Sequence, residues 1–77
     1  MSEPLFINYL ENKPSEKGWY PVLHHRKTKE GFFPSAEYWN GYDFVTQSCI
    51  SHFINKKFKS VMKANRFSHD NYSNFRD

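Results

Sequence analysis

The sequence predicts an α+β domain, an antiparallel sheet built around an aromatic-rich hairpin and followed by a basic C-terminal helix. Three observations carry this expectation. Residues 19–26 and 32–39 alternate their side chains with period two, the pattern of strands. Asn40-Gly41 follows the second run, and Asn-Gly between aromatic stretches is a strong hairpin signal, because a type I′ turn needs positive φ at both central residues. Beyond residue 60 the cations recur at helical spacing.

The 77 residues make one domain. A domain this small buries only about 60–65% of the surface its unfolded chain exposes. With one cysteine, Cys49, it has no intramolecular disulfide to compensate. The aromatic share of 19% takes that role, since each ring buries roughly 150–250 Å².

Taken in order, residues 1–17 form a docking segment. Leu5, Phe6, Ile7, Tyr9 and Leu10 give it an apolar side, as a short helix or as an added strand, before a loop that ends at Gly18. Residues 19–26 form a strand with Trp19, Pro21 and Leu23 on one face and Tyr20, Val22 and His24 on the other. Pro21 has no N–H, so this strand should lie at an edge or turn Pro21 to an unpaired side. Residues 25–31 read as a polar loop tip closed by Gly31. The second strand places Phe32, Ala36 and Tyr38 on one face and Phe33 and Trp39 on the other, and residues 42–45 are the returning strand of the Asn-Gly hairpin.

Residues 46–66 fit two periods. On a helix, Cys49, Ile50, Phe53, Ile54, Phe58, Val61 and Met62 share one face, with Lys57 the exception. Alternatively 48–54 is a strand in which Ile50, His52 and Ile54 alternate with Cys49, Ser51 and Phe53, and a shorter helix starts after Ser60 as N-cap. Both readings give a basic amphipathic helix over 61–67. Residues 68–77 are a polar tail that Tyr72 and Phe75 can pin.

Charge is unevenly placed. Residues 1–45 hold five Lys or Arg and six acids, a balance of −1, while residues 46–77 hold six Lys or Arg and two acids, a balance of +4. Between Lys56 and Arg66 five cations stand without an acid. This points to an acidic partner, a protein face or a nucleic acid, set against ordinary solvated surface lysines. The cations marked for contact are Arg26, Lys27 and Lys29 on the loop tip, with His24 beside them, and Lys56, Lys57, Lys59, Lys63 and Arg66 on the later segment.

Chemistry-bearing constellations are missing. His24 and His25 are neighbours on a strand and point to opposite faces, so they cannot chelate one ion. Cys49 and His52 meet only on a helix, and a free cysteine is most often a small buried hydrophobe. Three widely spaced glycines match no phosphate loop. The expectation is a protein that is not an enzyme and takes no cofactor or metal. Apolar runs of a few residues fall far short of the roughly 20 that span a bilayer, and the lone cysteine fits a reducing cytoplasm. The eight rings of Trp19, Tyr20, Phe32, Phe33, Tyr38, Trp39, Tyr42 and Phe44 are core, unless the sheet face away from the helix is bare and presents some of them to a partner.

The strings Gly18-Trp19-Tyr20-Pro21-Val22-Leu23, Gly31-Phe32-Phe33-Pro34-Ser35-Ala36-Glu37-Tyr38-Trp39-Asn40-Gly41 and Ser51-His52-Phe53 resemble small domains common in phage and prophage genomes. Those domains carry a Gly-Trp-Tyr-x-Val strand, an Ala-x-Tyr-Trp-x-Gly hairpin, a Thr-His-Phe or Thr-His-Trp strand and a Phe-x-Ser start to a final helix, here Phe58-Lys59-Ser60. The resemblance spans residues 18–70 and implies a three- to four-stranded antiparallel sheet with one helix packed on it, with 48–54 as a strand. It assigns no catalytic residue. Relatives are acidic in the final helix where this chain is basic, which implies a different contact surface. Small size, absent catalytic groups and a basic helix together lead to the expectation of a phage-type accessory protein in the host cytoplasm. It would bind a host protein or ribonucleoprotein complex with an acidic surface and inhibit it, as anti-restriction and anti-CRISPR proteins do. Direct nucleic-acid binding through the same cations is the alternative. The oligomeric state is left open.

Overall fold

A computed structural model describes residues 6–25, 31–46 and 49–76, with side chains as far as Tyr72. Strand β1 (Phe6–Asn8), β2 (Gly18–His25), β3 (Phe32–Trp39) and β4 (Ile50–Ile54) form one sheet in the order β1-β4-β2-β3, and helix α1 (Val61–Arg76) follows. Every pairing is antiparallel. The α+β architecture is the expected one, with the N-terminal segment as an added edge strand and 50–54 as a strand.

The longest ladder joins β2 and β3 in unbroken register from Gly18↔Trp39 to His25↔Phe32. Of the two expectations from Pro21, the edge position does not hold, because β2 is a central strand, and the unpaired side does. Its missing N–H is accommodated on the other side, in the gap between the Val22↔Phe53 pair and the bridge from Trp19 to Phe58. There Trp19 N–H donates to Phe58 O at 3.1 Å and Phe58 N–H to Trp19 O at 2.8 Å, so ladder bonding skips the proline. Pro34 lies on edge strand β3. Its register partner Leu23 alternates with Trp19 and His25, whose N–H groups bond on the β4 side, so the Leu23–Pro34 position exchanges no ladder bonds and the proline nitrogen faces the open side.

Strand β4 carries a bulge. Leu23 pairs with His52 but His24 pairs with Ile50, so Ser51 is the extra residue. The bulge shifts the alternation by one and brings Ile50 to the face of Phe53.

The Asn40-Gly41 pair bends the chain without making the expected hairpin. No non-glycine residue among those described has positive φ, so the type I′ turn is excluded, and only Gly41 (φ +106°) adopts such a value there. Asn40 instead folds its side chain over the bend, and its Oδ1 accepts from Tyr42 N–H at 2.8 Å and Asp43 N–H at 2.9 Å. Beyond it residues 42–45 are not a strand, touching β3 through the isolated Trp39↔Phe44 bridge and a 2.8 Å bond from Val45 N–H to Tyr38 O.

The sheet is packed on both faces. Under α1 lie Phe6, Leu23 and Ile54, with Phe32, Phe67 and Tyr72 against them. On the other face Tyr20, Val22, Trp39, Phe44 and Phe53 form a second cluster, closed by Ile7, Tyr9 and Ile50. Tyr9 is its lid, with ring centroids 6.3 Å from Trp39, 5.3 Å from Phe44 and 6.1 Å from Phe53. The bare aromatic face is therefore not found. Of the eight rings weighed above, Phe33 and Tyr42 are exposed.

Helix α1 starts at the expected cap, where Ser60 Oγ accepts from Lys63 N–H at 3.4 Å. It then continues through the segment expected to be a tail, to Arg76. It also buries a different stripe from the expected one. Ala64 and Ser68 face the sheet and are fully buried, whereas Val61 and Met62 are exposed. Small side chains at i and i+4 let the helix sit close over β2 and β3, where Pro21, Pro34 and Ala36 offer an equally low surface.

Candidate functional site

The segment between β4 and α1 is anchored by the Trp19–Phe58 exchange, and that anchor sets where its cations point. Lys57 turns inward along the surface. Its stem crosses Gly18, where a Cβ would collide with it, and Nζ donates to Glu16 Oε1 at 2.8 Å. The hydrogen bond and then the charge of the partner hold the Glu16 carboxyl below its usual range and the Lys57 ammonium above its own. Lys57 thus ties the N-terminal loop to the body.

Lys56 points to the other side, with Nζ 5.8 Å from the Phe58 ring centre and 5.7 Å from that of Phe67, within cation–π reach. Lys59, Lys63 and Arg66 are exposed. Among the described residues no ion pair engages these three, although Asp70 lies four positions after Arg66 on the same helix. Val61 (42%) and Met62 (78%), which sequence periodicity assigns to the core, are exposed as well. The segment is therefore mixed, with four exposed cations and two exposed apolar side chains, Met62 lying one turn before Arg66 on the helix.

The other marked residues do not join it. Arg26, Lys27 and Lys29 lie outside the described residues. His24 sits on the sheet face away from α1 and shares a 3.0 Å hydrogen bond with Glu37 Oε2 through its Nε2. It is five residues along β2 from Trp19, about 17 Å at strand rise, so His24 and the basic strip form no common surface.

Cys49 is exposed just before β4, and its backbone oxygen accepts from His25 N–H at 2.8 Å. His52 Nδ1 lies 2.9 Å from Ser51 Oγ, and burial pushes the imidazole below its ordinary pKa. Among the described residues no three His, Cys, Asp or Glu side chains gather to hold a metal ion. Also among them, no helix is long and apolar enough to cross a membrane. A groove on the face away from α1, beside Tyr9 and Asp43, has no sequence signal because its walls come from segments far apart in the chain. No family model, curated protein or solved structure matches this chain.

Proposed function

We propose that this chain acts by binding, as a phage-type accessory protein that docks on an acidic face of a host macromolecular machine and blocks it. The observation that carries the reading is the mixed strip at the start of α1. Lys56, Lys59, Lys63 and Arg66 supply positive charge, and the side chain of Met62, one turn before Arg66, is 78% exposed. A flexible, polarisable methionine suits an apolar pocket on a protein, and cations on the same segment suit an acidic rim. A phosphate backbone needs the cations but has no use for Val61 and Met62, so the strip favours a protein partner over nucleic acid. The phage-type resemblance of the strand motifs supports the biological setting.

The test combines two measurements. Tagged protein captures its partner from host lysate, and K59E/K63E/R66E abolishes that capture while circular dichroism shows an unchanged fold. Capture that survives the triple reversal removes the strip from the function. In parallel, duplex DNA is titrated at two salt concentrations. Binding with a log–log salt slope of about −3.6, from four neutralised phosphates, transfers the reading to nucleic acid.

A further inference from the structure

On the sheet face away from α1 a groove of about 370 Å³ opens between the N-terminal turn and the Asn40 bend, with Tyr9, Asn40, Asp43, Phe44, Val45 and Ile50 in its walls. That volume is within the range of about 300–1,000 Å³ typical of ligand sites. We infer that this groove takes an arginine-bearing segment of a protein partner, the guanidinium at the Asp43 carboxylate and an adjacent apolar side chain against Val45 and Ile50.

Four observations lead there. Asp43 is exposed yet held in place, since its N–H donates to Asn40 Oδ1 at 2.9 Å and its carbonyl accepts from Asn40 N–H at 3.1 Å. Its carboxylate makes no ion pair among the described residues. Exposed apolar side chains occur here, with Val45 (59%) in the wall and Leu10 (84%) and Tyr42 (83%) next in the chain to Tyr9 and Asp43. Lys13 Nζ stands 4.1 Å over the Tyr9 ring and fills it, which leaves the Asp43 carboxylate as the anchor for an incoming guanidinium. Arginine fits better than lysine because its planar guanidinium forms paired hydrogen bonds to a carboxylate. The Lys59–Arg66 strip belongs to α1 on the other side of the sheet, so this inference stands apart from the function proposed above.

The experiment is an amide NMR titration of the full chain with N-acetyl-leucyl-arginine amide and with its neutral isostere, N-acetyl-leucyl-citrulline amide. The arginine probe is expected to shift the amides of Asp43, Phe44 and Val45 and to bind about two- to fivefold tighter than the citrulline probe, the scale of one exposed ion pair. Asp43→Asn is expected to make the two probes equal. Asp70→Asn, which removes the same charge from α1, is expected to preserve the preference. The inference is overturned if both probes bind the parent chain equally, if the shifts map to α1, or if the groove amides stay still. It is also overturned if those amides move when the protein alone is diluted, because a second copy then fills the groove.

Discussion

Ser68 Oγ, buried on the inner side of α1, donates to the carbonyl oxygen of Val22 in the central strand at 3.0 Å. This bond fixes helix to sheet at the point where both surfaces are low. Ser68→Ala loses one net hydrogen bond, about 1 kcal/mol, which in a domain of this size lowers the melting temperature by roughly 4–8 °C. Ser68→Leu overpacks the same contact and costs about 1–3 kcal/mol. Thermal melts of the two variants check the order. Equal, unshifted melting would mean that the helix does not bear on Val22.

The Lys57–Glu16 pair spans 41 positions of sequence and closes the N-terminal loop. Glu16 has a depressed carboxyl, so its contribution is present above the ordinary value of 4.5 and is lost as pH falls through the folded-state value. Lys57 is raised, so its contribution is present below 10.5 and lost as pH rises through its folded-state value. Both groups are exposed, and solvent screens the pair. The expected result is spectroscopic: NMR titration finds Glu16 more acidic than a free glutamate, and Lys57→Gln returns it to the ordinary range. A Glu16 that titrates identically in both proteins removes the pair.

Strands β2 and β3 were legible because ring and aliphatic residues alternate along both, and the Ser60 cap because a hydroxyl stands before a helical run. Three features were not. Ile50, Phe53 and Ile54 fit a helix and a strand equally, and the Ser51 bulge breaks the alternation that would separate them. The inward stripe of α1 is centred on Ala64 and Ser68, a small alanine and a polar serine, so the larger but exposed Val61 and Met62 were the stronger apolar signal at the helix start. Asn40 satisfies its bend with its own side chain, a local solution that looks the same in sequence as a type I′ turn. For the site, position in the chain marks a cation but not its direction. Nothing near Lys57 announces that its partner is Glu16, and His24 gives no sign of Glu37 until the β2–β3 register brings them to one face.

Asn40→Ala tests the bend directly. It removes the acceptor for two backbone N–H groups, those of Tyr42 and Asp43. The bend is exposed, so water replaces part of the loss, and a cost of about 1 kcal/mol is expected. Because the bend positions Asp43 and Phe44, the same variant should also lose the arginine preference of the groove. Urea unfolding combined with the probe titration measures both effects. Lost stability with an intact preference would show that Asp43 is held by something other than Asn40.

His52 makes stability depend on pH. Its ring lies 5.4 Å from that of Phe32 beneath α1, and burial lowers its pKa below 6.5. The unfolded chain therefore binds a proton more readily than the folded one, and stability rises with pH across the interval between the two values. The contribution is complete above 6.5 and is lost as pH falls through the folded-state value. His52→Phe keeps an aromatic ring against Phe32 and removes the titration. Urea midpoints at about pH 8 and about pH 5, on either side of the ordinary imidazole range, should fall further in the parent chain than in His52→Phe. The difference between the two proteins isolates His52 from His24, His25 and His69, which both retain. An equal fall in the two would leave His52 protonating as freely in the folded chain as in the unfolded one.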